Sequence, residues 1–214
     1  PLSNWISGKL PMGLALTKAA TLQPLLFTVQ YALAGAWGET GAKPDVVLGH
    51  SLGEYVAACV AGVMPLSVAM EMVCLRGRLI DGLSETGGML AVKASLSELQ
   101  TVLRGGFELD VAAVNALDQV VVSGRAEEID RLHDSLRMVR IEALRLPVTH
   151  AFHSRLLDPI LDEFEAGLAG MEFKAPTIPM LSNLTGSLLQ EAPDARYWRE
   201  HLRQAVQFDS MVTQ

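Results

Sequence analysis

The run Gly49-His50-Ser51-Leu52-Gly53-Glu54 sets a serine between two glycines, each two residues away. A G-x-S-x-G run that joins a strand to a helix bends so tightly that both flanking positions must be small. The bend lifts the serine hydroxyl out at the carboxyl end of the strand, against the positive end of the following helix. The backbone N–H of Leu52, an orphan donor of that helix, is then free to stabilise an oxyanion. The chemistry is nucleophilic attack on a carbonyl. The alternative is a strand-to-helix turn that uses its glycines only for shape.

A serine at neutral pH needs a base. The chain offers His50, His133, His150, His153 and His201. His50 adjoins Ser51, but a tight turn aims it elsewhere. His133, on a polar helix face, and His201, near the carboxyl end, read as structural or solvated. His150 and His153 share the stretch Thr149-His150-Ala151-Phe152-His153-Ser154, and composition alone does not choose between them.

An arginine occupies an apolar stripe. On a helix over 65–83, taking Ala69 as zero, Met72, Val73, Ile80 and Leu83 fall within roughly 60°. Arg76 falls among them, while Glu71, Arg78 and Asp81 lie opposite. A guanidinium facing a core meets a buried carboxylate or waits for an anionic ligand. The nearby acids point away, which favours the ligand.

These groups must be positioned by the rest of the chain. Its 214 residues, 50% hydrophobic and 19% charged, suffice for one domain with a smaller insertion. The net charge of −7 argues against nucleic acid. The longest apolar run, 55–66, falls short of the roughly 20 residues that span a bilayer, so no membrane partner is expected. The amino end lacks a basic cluster leading into an apolar stretch, so no signal peptide is read. Cys59 and Cys74 alone make no metal site and no disulfide framework, which suits a reducing, cytoplasmic setting. The sequon Asn183-Leu184-Thr185 is then idle. The chain opens on Pro1 rather than Met and reads as cut from something longer.

Residues 1–20 read as loop and short helix. Leu22, Leu26, Val29, Leu33 and Trp37 define a helix over 22–37. A buried strand follows over 45–49, then helices over 52–62 and 65–83. From Gly87-Gly88 the texture changes. Strands over 89–93, 109–115, 119–123 and 139–146 alternate with helices over 95–103 and 126–136. That order, βαββαβ, is the ferredoxin-like pattern. Ser154 or Asp158 caps a helix to 168; a strand over 178–182 and a helix over 195–204 finish the chain. The fold class is α/β: a body of 1–87 and 149–214, with a small unit of 88–148 inserted.

Together these residues resemble the acyltransferase domain of polyketide and fatty acid synthases, the malonyl-CoA:acyl carrier protein transacylase family. The likeness runs through Thr21-Leu22-Gln23-Pro24, 47–54, Leu75-Arg76-Gly77, Val121-Val122-Ser123-Gly124, 150–154, 182–186, Tyr197-Trp198 and His201-Leu202-Arg203-Gln204. It implies an α/β-hydrolase-like body with a parallel sheet, a ferredoxin-like insertion and a site in the cleft between them. Ser51 would be the nucleophile, His153 its base and the backbone of Gln204 the group that orients the base. Arg76 would hold the free carboxylate of a malonyl group, with Gln23, His50, His150 and Phe152 as further substrate contacts. The His-Ala-Phe-His form at 150–153 and Leu52 resemble malonyl-selective members; methylmalonyl-selective ones usually carry Tyr-Ala-Ser-His and often Gln. Phe152 would fill the space of an α-methyl, a discrimination of about 1–3 kcal/mol.

The resemblance implies malonyl-CoA as substrate, no metal or resident cofactor, and phosphopantetheine carried by an acyl carrier protein. Ketosynthase or linker domains would adjoin. Two family features are missing, a Gly-Gln-Gly strand before Ser51 and a Gly-Pro stretch near the carboxyl end, so the chain reads as a fragment. A serine hydrolase is the enzymatic rival, but Asp110, Asp118, Asp130 and Asp134, between Ser51 and His153, all fall in the insertion. A docking scaffold without chemistry is the non-enzymatic rival.

Overall fold

A carboxylate sixty-two residues away starts the first helix among the described residues. The side chain of Asp81 accepts the backbone N–H of Ala19 at 2.8 Å and of Ala20 at 2.9 Å. Helix α1, Ala19–Glu39, therefore begins three residues before its local periodicity suggests. The structure is a computed structural model and describes residues 18–214; the loop and short helix expected over 1–20 fall outside these up to residue 17. The expected apolar stripe of α1 is not its buried face. Leu33 is 57% and Trp37 68% exposed, whereas Ala19, Gln23 and Phe27 are buried. Close approach to α3, Leu66–Asp81, selects that face. A β-carbon on Gly77 would lie 2.7 Å from Ala19 O and from Ala20 Cα, so only glycine lets the two backbones meet.

Helix α2, Gly53–Val60, is buried over its first turns, Glu54 through Ala58. It packs with α1, α3, α6 (Asp158–Gly167) and α7 (Ala195–Arg203) around Phe27, Tyr55, Met72, Ile80, Phe164 and Trp198. Ser154 caps a short 3-10 turn, Arg155–Leu157, before α6. The expected strands 45–49 and 178–182 shrink to one parallel bridge, Val47 with Met180. Val47 N–H donates to Pro179 O at 2.8 Å, and Leu181 N–H to Val47 O at 3.0 Å. The parallel sheet expected of the body is reduced to this pair among the described residues. A ladder needs neighbours, and among the described residues 47–50 otherwise border a groove of about 700 Å³ lined by α1 and α2.

The small unit is β1 (Gly87–Val92), α4 (Leu96–Leu103), β2 (Leu109–Ala116), β3 (Gln119–Arg125), α5 (Ala126–Met138) and β4 (Ala143–Arg145). Its sheet runs β2-β3-β1-β4, every pair antiparallel. Leu90, Val92, Val120 and Val122 face α4 and α5. Met89 and Val121 face the body, with Leu181, Val206 and Met211. The last strand is shorter than expected because Arg140, at φ 59°, turns the chain out of α5 before pairing begins.

The edge strand β2 is stitched to the body. Val114 N–H donates to Val206 O at 2.9 Å and Val206 N–H to Ala112 O at 3.0 Å. Helix α8, Phe208–Val212, follows and packs on the same strand. The segment leaving α7 thus crosses from body to small sheet within a few residues.

Candidate active site

The elbow is built on one obligatory glycine. A β-carbon on Gly49 would stand 2.0 Å from the Gly53 carbonyl carbon, whereas one on Gly53 would meet only Gln30 Oε1 at 3.8 Å. The demand for a small residue at both positions is corrected: it holds at Gly49 and is relaxed at Gly53. Ser51 sits at φ 50°, a left-handed conformation costing about 1–3 kcal/mol for a residue with a side chain. Gly53 N–H donates to His50 O at 2.9 Å, Glu54 N–H to Ser51 O at 3.0 Å and Tyr55 N–H to Leu52 O at 3.2 Å. Ser51 N–H is taken by Asn183 Oδ1 at 2.7 Å. No described residue accepts from Leu52 N–H. Of the amides from Ser51 to Tyr55, that of Leu52 is therefore the one without an acceptor among the described residues and available to an oxyanion.

Ser51 Oγ lies 2.7 Å from His153 Nε2. His153 Nδ1 lies 2.9 Å from the backbone carbonyl oxygen of Gln204. A carbonyl only accepts, so Nδ1 carries the hydrogen and Nε2 offers its lone pair to the serine hydroxyl. Burial drives the His153 pKa down to about 3, helped by the charge of Arg76; the Gln204 carbonyl pulls the other way. The ring is thus a neutral base.

His150 is elsewhere, with Nδ1 3.1 Å from Thr149 Oγ1 and its ring 6.2 Å from that of Phe152. His50 turns toward the small sheet, Nε2 2.8 Å from Asn115 Oδ1, with its ring 5.2 Å from Phe208. His133 stays on α5. His201 is not solvated but buried against the site, its ring 6.3 Å from that of His153. Burial, then the neighbouring His153 and Arg76, keep His201 neutral.

Among the described residues no carboxylate touches His153. Asp110 of β2 instead accepts Arg155 N–H at 2.8 Å and Arg155 Nε–H at 3.1 Å, and reaches Arg203 at 3.4 Å. It ties together the residue two after His153 and the one before Gln204.

Arg76 is 2% exposed and has no carboxylate partner among the described residues. Its Nε makes no hydrogen bond. Burial lowers its pKa, and Tyr55 opposes that shift; guanidinium nonetheless stays charged. Its central carbon lies 5.8 Å from the centroid of Phe152, the residue before the base. Gln23 is buried on α1 with Oε1 unpartnered. A buried cation without an anion destabilises a protein, and an anionic ligand beside Arg76 would relieve that cost.

Sequence reasoning assigned no role to the supports of the elbow. Asn183 Nδ2 donates to Gly49 O at 2.5 Å, and Asn183 N–H donates to Glu54 Oε2 at 2.7 Å. The hydroxyl of Tyr197 donates to the other Glu54 oxygen. Burial raises the Glu54 pKa to about 7, against the pull of these hydrogen bonds. One signal was available: α2 is apolar on all sides, so its single carboxylate had to be partnered. Among the described residues no cluster of His, Cys, Asp or Glu is placed to hold a metal, and no helix is long and apolar enough to cross a membrane.

The family model for the acyl transferase domain matches residues 13–214. Mycoketide-CoA synthase of Mycobacterium tuberculosis is 44% identical over 191 residues, covering 89% of this chain and 5% of that protein. The crystal structure of the acyltransferase domain from the second module of the salinomycin polyketide synthase superposes with a TM-score of 0.92 at 38% identity. That match covers 99% of this chain and 50% of the other. The malonyl CoA-acyl carrier protein transacylase from Burkholderia pseudomallei has a TM-score of 0.86 at 29% identity, over 92% of this chain and 69% of the other. The chain thus spans about half the length of the salinomycin domain and a small part of the synthase.

Proposed function

The chain belongs to the acyl transferase domain family, and from that premise we propose that it transfers a malonyl group from malonyl-CoA to the phosphopantetheine thiol of an acyl carrier protein. The synthase is of polyketide or fatty acid type, with ketosynthase or linker domains adjoining. On this reading the body over 1–87 and 149–214 is α/β-hydrolase-like and the unit over 88–148 ferredoxin-like; the strand order β2-β3-β1-β4 supports the latter. The free thiols Cys59 and Cys74 support a reducing, cytoplasmic setting.

The reaction runs in two halves. Ser51 Oγ attacks the thioester carbonyl while His153 Nε2 takes the hydroxyl proton. Leu52 N–H receives the oxyanion. The tetrahedral species collapses, the carbon–sulfur bond breaks, and His153 returns its proton to the departing CoA sulfur. In the second half the phosphopantetheine thiol gives its proton to His153 and attacks the seryl ester. Ser51 then leaves with that proton. Arg76 grips the malonyl carboxylate throughout, and no resident cofactor is required.

The observation that carries this reading is the buried, carboxylate-free guanidinium of Arg76 beside a serine–histidine pair 2.7 Å apart. Phe152, between Arg76 and the base in the chain, supports malonyl over bulkier units by occupying space at the α-carbon. Hydrolysis by a Ser-Asp-His triad finds no support, since a backbone carbonyl stands where the aspartate belongs.

The test is a single-turnover competition among malonyl-, methylmalonyl- and acetyl-CoA, read by intact mass. We expect one malonyl ester on the wild-type chain and none on Ser51→Ala. An ester that persists on Ser51→Ala, or acetyl loading equal to malonyl, would sink the reading.

A further inference from the structure

We propose that Asn183 is a positioning residue that holds Ser51 in its reactive conformation by gripping the elbow on both sides of the serine. The inference rests on the reading of Ser51 as the acyl-carrying nucleophile. It adds a residue that acts through Ser51 and touches no substrate.

The geometry is a two-point clamp. Asn183 Oδ1 accepts Ser51 N–H at 2.7 Å, and Asn183 Nδ2 donates to Gly49 O at 2.5 Å. Only one orientation of the amide satisfies both, because the reverse would set donor on donor and acceptor on acceptor. The side chain is 2% exposed, so water does not compete.

The clamp is itself anchored. Asn183 N–H donates to Glu54 Oε2 at 2.7 Å, and its carbonyl accepts Gln207 N–H at 2.9 Å. Tyr197 of α7 holds the second oxygen of Glu54.

The elbow needs such an external hold. Ser51 stands at φ 50°, and Leu52, the N-cap of α2, makes no side-chain capping bond. Conformations of this kind persist only where the surroundings over-determine them. If Ser51 relaxed to negative φ, its Cα–Cβ bond would swing and Oγ would leave His153 Nε2. Asn183 has a second effect: by occupying Ser51 N–H, it leaves the neighbouring Leu52 N–H as the elbow's donor to the oxyanion.

The isosteric variant Asn183→Asp separates positioning from packing. An ionised carboxylate still accepts Ser51 N–H, but its other oxygen opposes the Gly49 carbonyl. Protonated, the acid donates to Gly49 O and restores the clamp. The titratable groups that touch the clamp and the elbow are Glu54 on α2, Tyr197 on α7 and His153 against Ser51, with His201 of α7 packed on His153.

The whole chain is treated with a small fluorophosphonate that labels activated serines, between about pH 5 and about pH 8, and labelling is followed by intact mass. Malonyl loading from malonyl-CoA is measured in parallel. Asn183→Ala should label on the order of 10²-fold more slowly, with the malonyl-CoA concentration for half-maximal loading little changed. Asn183→Asp should be equally slow at alkaline pH and recover relative to wild type on acidification. Wild-type labelling rates in both variants would overturn the proposal. So would an Asp variant whose pH profile parallels that of wild type, and this arm decides alone if the Ala variant fails to fold. A wild-type chain that labels with the phosphonate but takes no malonyl counts against the acyl-donor reading alone; the clamp is then judged on the phosphonate rates.

Discussion

The backbone carbonyl of Gln204 stands 2.9 Å from His153 Nδ1, two residues before Val206 bridges to Ala113 of β2. The imidazole is therefore oriented by a peptide group that lies two residues from a bridge to the small sheet. A neutral acceptor fixes the tautomer without adding charge, and the buried imidazole stays unprotonated far below its ordinary range.

The first expectation concerns pH. Acyl loading should show no inflection at the usual histidine pKa near 6.5, because His153 titrates at about 3. Any inflection near 7 belongs to Glu54, which titrates at about 7, and should vanish in Glu54→Gln. A wild-type profile that falls below about pH 6.5 and is unchanged by that substitution would count against the neutral base.

Stability should follow the same groups with opposite signs. Glu54 is raised from 4.5 to about 7, so the folded state binds more protons than the unfolded state between those values. Its contribution weakens as pH rises through that window. His153 is lowered from 6.5 to about 3, so the unfolded state binds more protons there, and stability falls as pH drops below 6.5. Glu54→Gln should thus gain on wild type between about pH 5 and about pH 8, read as the difference in Tm. A constant difference across that range would argue against a protonation change at Glu54.

Arg76 should trade stability for function. Arg76→Met removes a buried charge that has no carboxylate partner among the described residues and keeps the aliphatic volume. It should stabilise the unliganded chain by about 1 kcal/mol or more, measured by denaturant titration. Malonyl loading should fall on the order of 10²-fold or more, with acetyl loading spared. Equal loss of both acyl groups would make Arg76 a structural residue only.

The glycines of the elbow should separate cleanly. Gly49→Ala places a β-carbon 2.0 Å from backbone and should cost about 3 kcal/mol or more, or prevent folding. Gly53→Ala has room beside Gln30 and sits in the first turn of α2. It should be neutral or stabilising by up to about 1 kcal/mol. Comparable losses in the two variants would refute the asymmetry.

Phe152 should govern acyl size. Phe152→Ser opens space beside Arg76 and should shift the methylmalonyl-to-malonyl loading ratio about 10-fold or more toward methylmalonyl. An unchanged ratio would move size selection to another wall of the pocket.

Local pattern carried much of this site and tertiary contact the remainder. The elbow and the helical placement of Arg76 are periodic features and were legible. So was the alternation of strands and helices from Gly87 to Arg145. The buried face of α1 was not, because it is chosen by the contact of Gly77 with Ala19 and Ala20 rather than by the Leu-rich stripe. His150 and His153 are alike in sequence, and the left-handed turn of His153, at φ 56°, separates them. Asn183 meets the elbow across 132 residues, a distance over which no spacing rule operates. The apolar run over 45–49 predicts a short buried strand, yet a sheet is a property of neighbours, and one bridge to Met180 is what forms.

The bridge between Val206 and β2 gives the small unit a hand on the chemistry. A swing of that sheet away from the body would draw the 204–206 tether with it and turn the imidazole off the hydroxyl. The seating of the small sheet on the body and the aim of the imidazole are thereby coupled through three residues, 204–206.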